Sequence, residues 1–160
     1  MNNKYIKESI EQSQIAYKNN EIPIGCVIVK DDEIISKAYN KVEKKKDPTA
    51  HAEILAIKKA SKKLNNWRLA DCDIYVNLQP CDMCLGAIMN ARLRKLYFAA
   101  YNEKSGSEKL SSIKPFEEVI IKSSNHKLTV VGGINKEEIE TNLKSFFTSL
   151  RKMNKTSVID

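Results

Sequence analysis

The stretch that decides the fold runs from residue 73 to residue 100 and reads DIYVNLQPCDMCLGAIMNARLRKLYFAA. Its first part, DIYVNL, is rich in β-branched and aromatic residues and predicts a strand over residues 73–78. Pro80 then marks the start of a helix over about 81–91, and RKLYFAAY predicts a second strand over residues 94–101. A strand, a helix and a strand in this order form a crossover, which implies that the two strands are parallel.

The flanking sequence adds further elements to this crossover. IPIGCVIVK (22–30), the turn DD and EIISKAYN (33–40) predict a β-hairpin, and KLTVVGG (127–133) predicts a short strand. The Lys-rich segment 41–49 is expected to be a loop. Helical spacing of apolar residues predicts helices over residues 3–18, 50–64 and 136–153. Together these elements predict an α/β fold in which helices flank a mixed sheet.

Composition predicts one soluble domain that spans residues 1–160. The hydrophobic fraction is 42% and the charged fraction 29%, which are ordinary values for globular proteins. No run approaches the ~18 consecutive apolar residues of a membrane span, so we expect no membrane partner. The first helix is amphipathic and carries acids, unlike a secretory signal or a typical transit peptide. The expected location is the cytoplasm.

The net charge is strongly positive. It amounts to +7 at pH 7, with a pI of about 9.2. A basic chain favours acidic partners, of which nucleic acid is the commonest. Runs of lysine also occur simply as solvated surface, so the charge indicates a nucleic-acid partner without deciding the question.

Four residues in the motifs HAE (51–53) and PCDMC (80–84) carry the chemistry. His51 and Glu53 are predicted in the first turn of one helix, and Cys81 and Cys84 in the first turn of another, at one end of the sheet. Because residues i and i+3 share a helix face, both thiolates can point at one ion. One imidazole and two thiolates with an open fourth position form a tetrahedral catalytic zinc site.

Glu53 indicates what such a site would do. Zinc lowers the pKa of a water molecule toward ~7. A carboxylate next to the site can accept a proton from this water and deliver it to a ring nitrogen and to a leaving amine. The set therefore predicts hydrolytic deamination of an amidine-like ring carbon.

Two other interpretations of the cysteines remain open. A closed structural zinc site would need a fourth ligand, for which Cys72 or His126 could be nominated. A redox pair formed by Cys81 and Cys84 would fit a thioredoxin-like layout. Neither interpretation accounts for Glu53.

The two motifs resemble the H-x-E…P-C-x-x-C pattern of zinc-dependent nucleoside and nucleobase deaminases. Their flanks are similar to the tRNA-specific adenosine deaminases, which convert wobble adenosine to inosine. The similar passages are IPIGCVIV, AYNKVEKKKDPTAHAEILAI, DIYVNLQPCDMCLGAIMNARLRKLYFAA, KSG, NHKLTVVGGI and FFTSLRK, which together cover nearly the whole chain. The resemblance implies a three-layer α-β-α, cytidine-deaminase-like fold with a five-stranded mixed sheet. It also implies a homodimer whose site is completed across the interface.

The resemblance assigns roles to individual residues. It implies that His51, Cys81 and Cys84 bind one Zn²⁺ per subunit and that Glu53 moves protons. Asn40 would hydrogen-bond the flipped base, and the backbone of Ala52 and Pro80 would line the same pocket. The expected substrate-binding residues are Asn40, Ala52, Pro80, Asn102, Lys104 and Phe147.

Phe146 and Phe147 are neighbours on the last predicted helix. Adjacent helical residues are ~100° apart, so both cannot occupy the centre of the apolar stripe. Phe146 fits the spacing of the core, whereas Phe147 could stack on an unpaired base, with Lys144, Arg151 and Lys152 close by. That both residues simply pack remains the alternative.

The chain departs from the family pattern at three places. Gln79 stands where the family usually has Glu, and Tyr101-Asn102 stands where it commonly has Arg-Asp. The second departure bears on the nucleotides that flank the target, and so on substrate selectivity. Cys26 replaces a small apolar residue, which we interpret as a packing substitution.

The sequence therefore predicts a zinc-dependent hydrolase that deaminates wobble adenosine in a tRNA anticodon stem-loop. Such a loop suits a base that must leave its stack to be modified. The alternatives are a deaminase of a free base or nucleoside, of guanine or cytosine type, and a non-catalytic zinc module that binds nucleic acid.

Overall fold

The computed structural model describes residues 3–102, 125–134 and 136–156. This part of the chain forms a sheet flanked by helices, which confirms the predicted α/β class. None of its helices is long and apolar enough to cross a membrane. The strands are β1 (Gly25–Lys30), β2 (Glu33–Tyr39), β3 (Cys72–Leu78), β4 (Lys95–Ala100) and β5 (Thr129–Val131); the helices are α1 (Asn3–Lys18), α2 (Val42–Lys45), α3 (Ala52–Leu64), α4 (Asp82–Asn90) and α5 (Lys136–Thr156).

The sheet is mixed and has five strands in the order β2-β1-β3-β4-β5. Strand β1 is antiparallel to both β2 and β3. Strands β3, β4 and β5 are parallel, with Asp73 opposite Lys95 and Val76 opposite Phe98. The crossover predicted from residues 73–100 is therefore confirmed. Both ends of β3 are now defined: Cys72 starts it, and the segment that carries Cys81 follows its last residue.

The helices form a layer on each face of the sheet. Alternate residues of β3 point to opposite faces, so Ile74 and Val76 contact the layer of α3 and α4, while Tyr75 contacts that of α1 and α5. The three-layer arrangement implied by the resemblance is confirmed. The first layer buries Ala56, Ala60, Leu85 and Ile88, and the second buries Tyr5, Ile6, Ile10 and Ile139.

Strand β1 begins three residues later than the start of the predicted strand. The segment before it is held by Asn77 of β3, whose Oδ1 accepts the Gly25 N–H (2.9 Å) and whose Nδ2 donates to the Pro23 carbonyl (2.9 Å). Gly25 also lies against α1, where a Cβ atom would be 2.1 Å from the Ser9 carbonyl oxygen. Only glycine allows this close approach of two backbones.

The expected loop at 41–49 contains a short helix, α2. It was not predicted because a single turn shows no apolar periodicity. Its first N–H groups are bound by a side chain from outside the segment: Glu21 accepts from the Glu43 N–H (3.1 Å) and from the Lys44 N–H (2.8 Å). A tertiary contact therefore helps to hold this helix.

Candidate metal site and active site

Two helix N-termini carry the predicted metal ligands. His51 is the N-cap residue of α3 and Cys81 that of α4, both with extended backbone (φ −70°, ψ 152° and φ −72°, ψ 170°). The sequence placed His51 two positions and Cys81 one position deeper, inside the first turns, because the predicted helices began at residues 50 and 81. Glu53 and Cys84 do lie in the first turns. The four side chains are thus presented where two helices start, with the helix dipoles favouring negative charge.

The three ligand atoms lie close together. His51 Nδ1 is 3.6 Å from Cys81 Sγ and 3.5 Å from Cys84 Sγ. Zinc bonds of about 2.0 to 2.3 Å at tetrahedral angles would hold ligand atoms about 3.5 Å apart. Within the described ranges, this is the one group of three His, Cys, Asp or Glu side chains whose ligand atoms all lie within 4.8 Å of one another. These residues could hold a metal ion.

The two thiols differ electrostatically. Hydrogen bonds from Cys84 and His51 lower the pKa of the Cys81 thiol to about 4. The hydrogen bond to Cys81, followed by burial, raises the pKa of Cys84. The hydrogen bond with Cys81 also raises the pKa of His51. The cluster therefore stabilises a thiolate, which is the form of cysteine that binds metals.

Glu53 is the exceptional side chain of this region. It is 2% exposed, and its Oε2 is the one buried side-chain N or O atom without a hydrogen-bond partner among the described residues. Burial raises the pKa of its carboxyl group to about 7. An unpartnered buried oxygen is unfavourable, so a hydrogen-bonding ligand such as water or substrate fits at Oε2. Cys26 on β1 is fully buried, as expected for a packing substitution.

The residues nominated for a closed zinc site lie elsewhere. Cys72 starts β3 and Cys81 follows its end, which at ~3.3 Å per residue separates them by roughly 20 Å. His126 Nε2 donates to the Leu93 carbonyl (2.6 Å), just before β4 starts. Both residues are at the opposite end of the parallel strands from Cys81, so neither can complete the site.

Asn40 lies at the end of β2, close to the cluster in the fold. It is buried, and the next residue, Lys41, donates its N–H to the Ala50 carbonyl (3.0 Å), directly before His51. The side-chain nitrogen Nδ2 of Asn40 is 3.5 Å from Glu21 Oε2. The end of β2 and the start of α3 are thereby tied together.

Three more of the expected substrate-binding residues flank the ligands. Ala52 is fully buried as the first residue of α3, and Pro80 is buried between β3 and Cys81. The Asn102 N–H donates to Gln79 Oε1 (3.0 Å). Gln79 therefore links the segment after β4 to the segment that carries the cysteines. An amide can do so as well as a carboxylate, because the backbone needs only an acceptor.

The last two expected substrate-binding residues are Lys104 and Phe147, of which the structure describes only Phe147. Lys104 is outside the described residues. Phe146 is buried and packs edge-on against Tyr17 of α1 with ring centroids 5.5 Å apart, so its prediction as a core residue is confirmed. Phe147 is partly buried and contacts Phe146 at 5.6 Å. It lies on α5, in the layer opposite α3 and α4.

Sequence reasoning missed two buried polar residues near this region, Glu21 and Asn77. Each makes hydrogen bonds to backbone groups far along the chain, and neither belongs to a motif. The one available signal is that a polar residue occurs next to, or inside, a run predicted to be buried.

Comparison with known proteins identifies the family. A family model described as MafB19-like deaminase matches residues 1–151. The tRNA-specific adenosine deaminase of Bacillus subtilis (strain 168) is 40% identical over 154 residues, which cover 96% of this chain and 92% of that protein. The chain belongs to the tRNA-specific adenosine deaminases.

Solved structures agree with membership of the tRNA-specific adenosine deaminases. One from biochemical and structural studies of A-to-I editing by tRNA:A34 deaminases at the wobble position has a TM-score of 0.77 and 32% identity, covering 86% of this chain and 96% of that chain. A guanine deaminase from Nitrosomonas europaea has a TM-score of 0.74 at 21% identity, covering 89% and 82%. The second similarity shows the fold alone. The deaminase fold implied by the sequence is confirmed.

Proposed function

We propose that this protein deaminates adenosine to inosine at the wobble position of a tRNA anticodon loop. The observation that carries the proposal is the cluster of His51, Cys81 and Cys84 ligand atoms, with the buried, unpartnered Oε2 of Glu53 close to it in the same helix turns. Support also comes from the B. subtilis relative and from the tRNA:A34 deaminase structure, which share 40% and 32% identity with the chain.

The cofactor would be one Zn²⁺ per subunit. His51 Nδ1 and the Sγ atoms of Cys81 and Cys84 would hold it, since one imidazole and two thiolates form a donor set that suits zinc. When bound, zinc supplies Lewis-acid activation of the water that hydrolyses the C–N bond. The chain itself supplies the ligands, the proton carrier and the pocket.

Glu53 would carry the proton. In the net reaction adenosine and water give inosine and ammonia, so a proton must pass from water to the purine ring and the leaving amine. The Oε2 atom has no competing partner in the described part of the chain and can hold this proton at each stage. Burial excludes bulk water, which keeps the transfer between the carboxyl group and the reactants.

The base would enter the pocket from a single-stranded loop. Asn40 would hydrogen-bond it, and the backbone of Ala52 and Pro80 would line the same pocket. The net charge of +7 supports an RNA substrate. Asn102, Lys104 and Phe147 are proposed to contact the nucleotides that flank the target, where bases stack on aromatic rings.

Residues 1–160 are proposed to form one deaminase domain, located in the cytoplasm. Two copies of this domain are proposed to form a homodimer in which residues of both copies complete each site. The support for the dimer is the similarity of the chain to the tRNA-specific adenosine deaminases over 96% of its length. Sedimentation velocity at micromolar concentration tests this, with a monomer contradicting it.

The decisive test compares substrates. Zinc-loaded protein is incubated with an anticodon stem-loop that has A at the wobble position, and in parallel with free adenosine, guanine and cytosine. Glu53→Ala is the blank. We expect inosine from the stem-loop alone and none from the variant. Conversion of a free base instead would establish the alternative deaminase, and no turnover with zinc bound would favour a nucleic-acid-binding module.

A further inference from the structure

Glu21 is a buried carboxylate for which the proposed reaction has no use. It is 1% exposed and follows the end of α1, where its own N–H donates to the Ala16 carbonyl (3.0 Å). Three N–H donors surround its two oxygens: Lys44 N at Oε1, and Glu43 N and Asn40 Nδ2 at Oε2. Burying such a group is unfavourable unless every oxygen is hydrogen-bonded.

The hydrogen bonds define which way round the Asn40 amide lies. A backbone N–H can only donate, so Oε2, which accepts from the Glu43 N–H at 3.1 Å, is an acceptor. The atom of Asn40 that faces it at 3.5 Å must then be the donor nitrogen, Nδ2. The amide oxygen Oδ1 of Asn40 is consequently turned away from Glu21.

The backbone around Glu21 and Asn40 is fixed, so neither residue can shift to restore their contact if it is disturbed. The Asn40 N–H donates to the Ile24 carbonyl (3.0 Å), which fixes its backbone. Residues on each side of Ile24 are held by the Asn77 side chain, at 2.9 Å to Pro23 O and 2.9 Å to Gly25 N. The segment from Glu21 to Gly25 is therefore a rigid support beneath Asn40.

We propose that Glu21 is a positioning residue that fixes the Asn40 amide so that Oδ1, a hydrogen-bond acceptor, is presented to the substrate. The inference rests on the proposed function, in which Asn40 binds the flipped base. An acceptor at this position pairs with a substrate N–H or O–H group. Glu21 thus acts on the orientation of the bound nucleoside through Asn40, without touching it.

A double-mutant cycle tests the proposal. Asn40→Asp alone places two carboxylates against each other and displaces the acceptor. Adding Glu21→Gln, with its amide nitrogen at the Oε2 position, supplies an N–H that can donate to the introduced carboxylate, whose second oxygen again presents an acceptor. The Glu43 N–H loses its acceptor in this arrangement, so the rescue is expected in the rate constant and not in stability. The cycle uses wild type, Glu21→Gln, Asn40→Asp and the double variant on the wobble-A stem-loop. The readouts are the single-turnover rate constant at saturating RNA and the half-saturating RNA concentration.

We expect each single variant to lower the rate constant by about 10- to 100-fold, the size of one mispaired polar contact. The double variant is expected to be at least about tenfold faster than Asn40→Asp, which is coupling between the two positions. The half-saturating concentration should stay within about threefold, since phosphate contacts dominate RNA affinity.

Stability measurements separate positioning from a structural role. Asp73→Asn is the matched control, because Asp73 is another buried carboxylate, bound to Arg94 (2.8 and 3.1 Å) at the far end of β3. It should lower the unfolding temperature by no more than about 4 °C and leave the rate constant unchanged. If losses in the Glu21 variants merely followed unfolding temperature or zinc content, as a structural role requires, the inference would be wrong.

The outcomes for the two proposals are distinguishable. Wild type that forms inosine, with independent effects of the two substitutions, overturns the positioning role and keeps the proposed function. Wild type that forms no inosine from the stem-loop overturns both, because Asn40 then has no flipped base to bind. Inosine formation together with rescue in the double variant supports both.

Discussion

Buried polar side chains lie at both ends of β3, but their hydrogen bonding differs. At its start, Asp73 accepts two hydrogen bonds from Arg94, at 2.8 and 3.1 Å. Beyond its other end, Cys81 joins a cluster in which Glu53 Oε2 has no partner in the part of the chain that the structure describes. A pair whose hydrogen bonds are complete needs nothing further, whereas an unpaired group is retained at a cost in stability. The difference locates the reactive end of the molecule.

Removal of the unpaired group gives the largest expected effect. Glu53→Gln should lower the single-turnover rate of inosine formation by about 10²- to 10⁴-fold, the usual contribution of a general acid–base. The unfolding temperature should change little, because the Oε2 atom that is replaced has no partner in the described part of the chain. Rates come from quenched reactions with the wobble-A stem-loop, and temperatures from circular dichroism. A variant within about tenfold of wild type would mean that the unpaired oxygen is not the proton carrier.

The cysteines at the two ends provide a matched comparison for metal binding. Cys84→Ser should remove stoichiometric zinc and activity together, because a serine hydroxyl is a poor zinc ligand. Cys72→Ser, which changes an equally buried thiol at the start of β3, should keep one zinc per chain. Native mass spectrometry measures the zinc content. Loss of zinc from both variants would contradict the proposal that the zinc ligands lie only at the end of β3 that precedes Cys81.

Asn77 lies between the two ends of β3, and its side chain stabilises the fold. Asn77→Ala should destabilise the protein by about 2 to 4 kcal/mol, since it leaves the Gly25 N–H and the Pro23 carbonyl buried and unpaired. Urea unfolding measures the change. Because both groups support the segment beneath Asn40, a smaller loss of rate should accompany it, and full stability would show that water replaces the side chain.

The smallest effect is expected where the pair is complete and partly exposed. Asp73→Asn should cost under about 1 kcal/mol, because Arg94 is exposed and such ion pairs are screened by solvent. The inosine rate should equal that of wild type. A loss of rate here would contradict the division of β3 into a structural and a reactive end.

The sequence predicted the parts of the molecule that depend on local pattern. The β3-α4-β4 crossover followed from residues 73–100. The spacing of His51, Cys81 and Cys84 predicted that they come together, and their ligand atoms do form a group that could hold a metal ion. The N-cap position was missed by two residues for His51 and by one for Cys81, since a helix boundary depends on backbone angles that neighbouring residues only weakly constrain.

Residues whose role depends on distant partners could not be predicted. Asn77 binds groups 52 and 54 residues away, and Glu21 binds groups 19 to 23 residues away. The short helix α2 is bound by Glu21, and a single turn shows no apolar periodicity of its own. Such residues become visible only when the sheet brings separate segments together.

The candidate metal ligands lie at two separate helix N-termini, so a bound ion would link two distant parts of the chain. His51 and Cys81 are 30 residues apart in sequence, so an ion shared by them would act as a cross-link that closes a loop of that length. This cross-link would exist in the folded chain alone, so the ion would stabilise the fold by mass action, by about 2.7 kcal/mol at a free concentration about 100 times its Kd. The unfolded chain offers only the Cys81–Cys84 half-site, and the third ligand arrives with the sheet. Metal uptake by this protein would therefore report how completely the chain has folded.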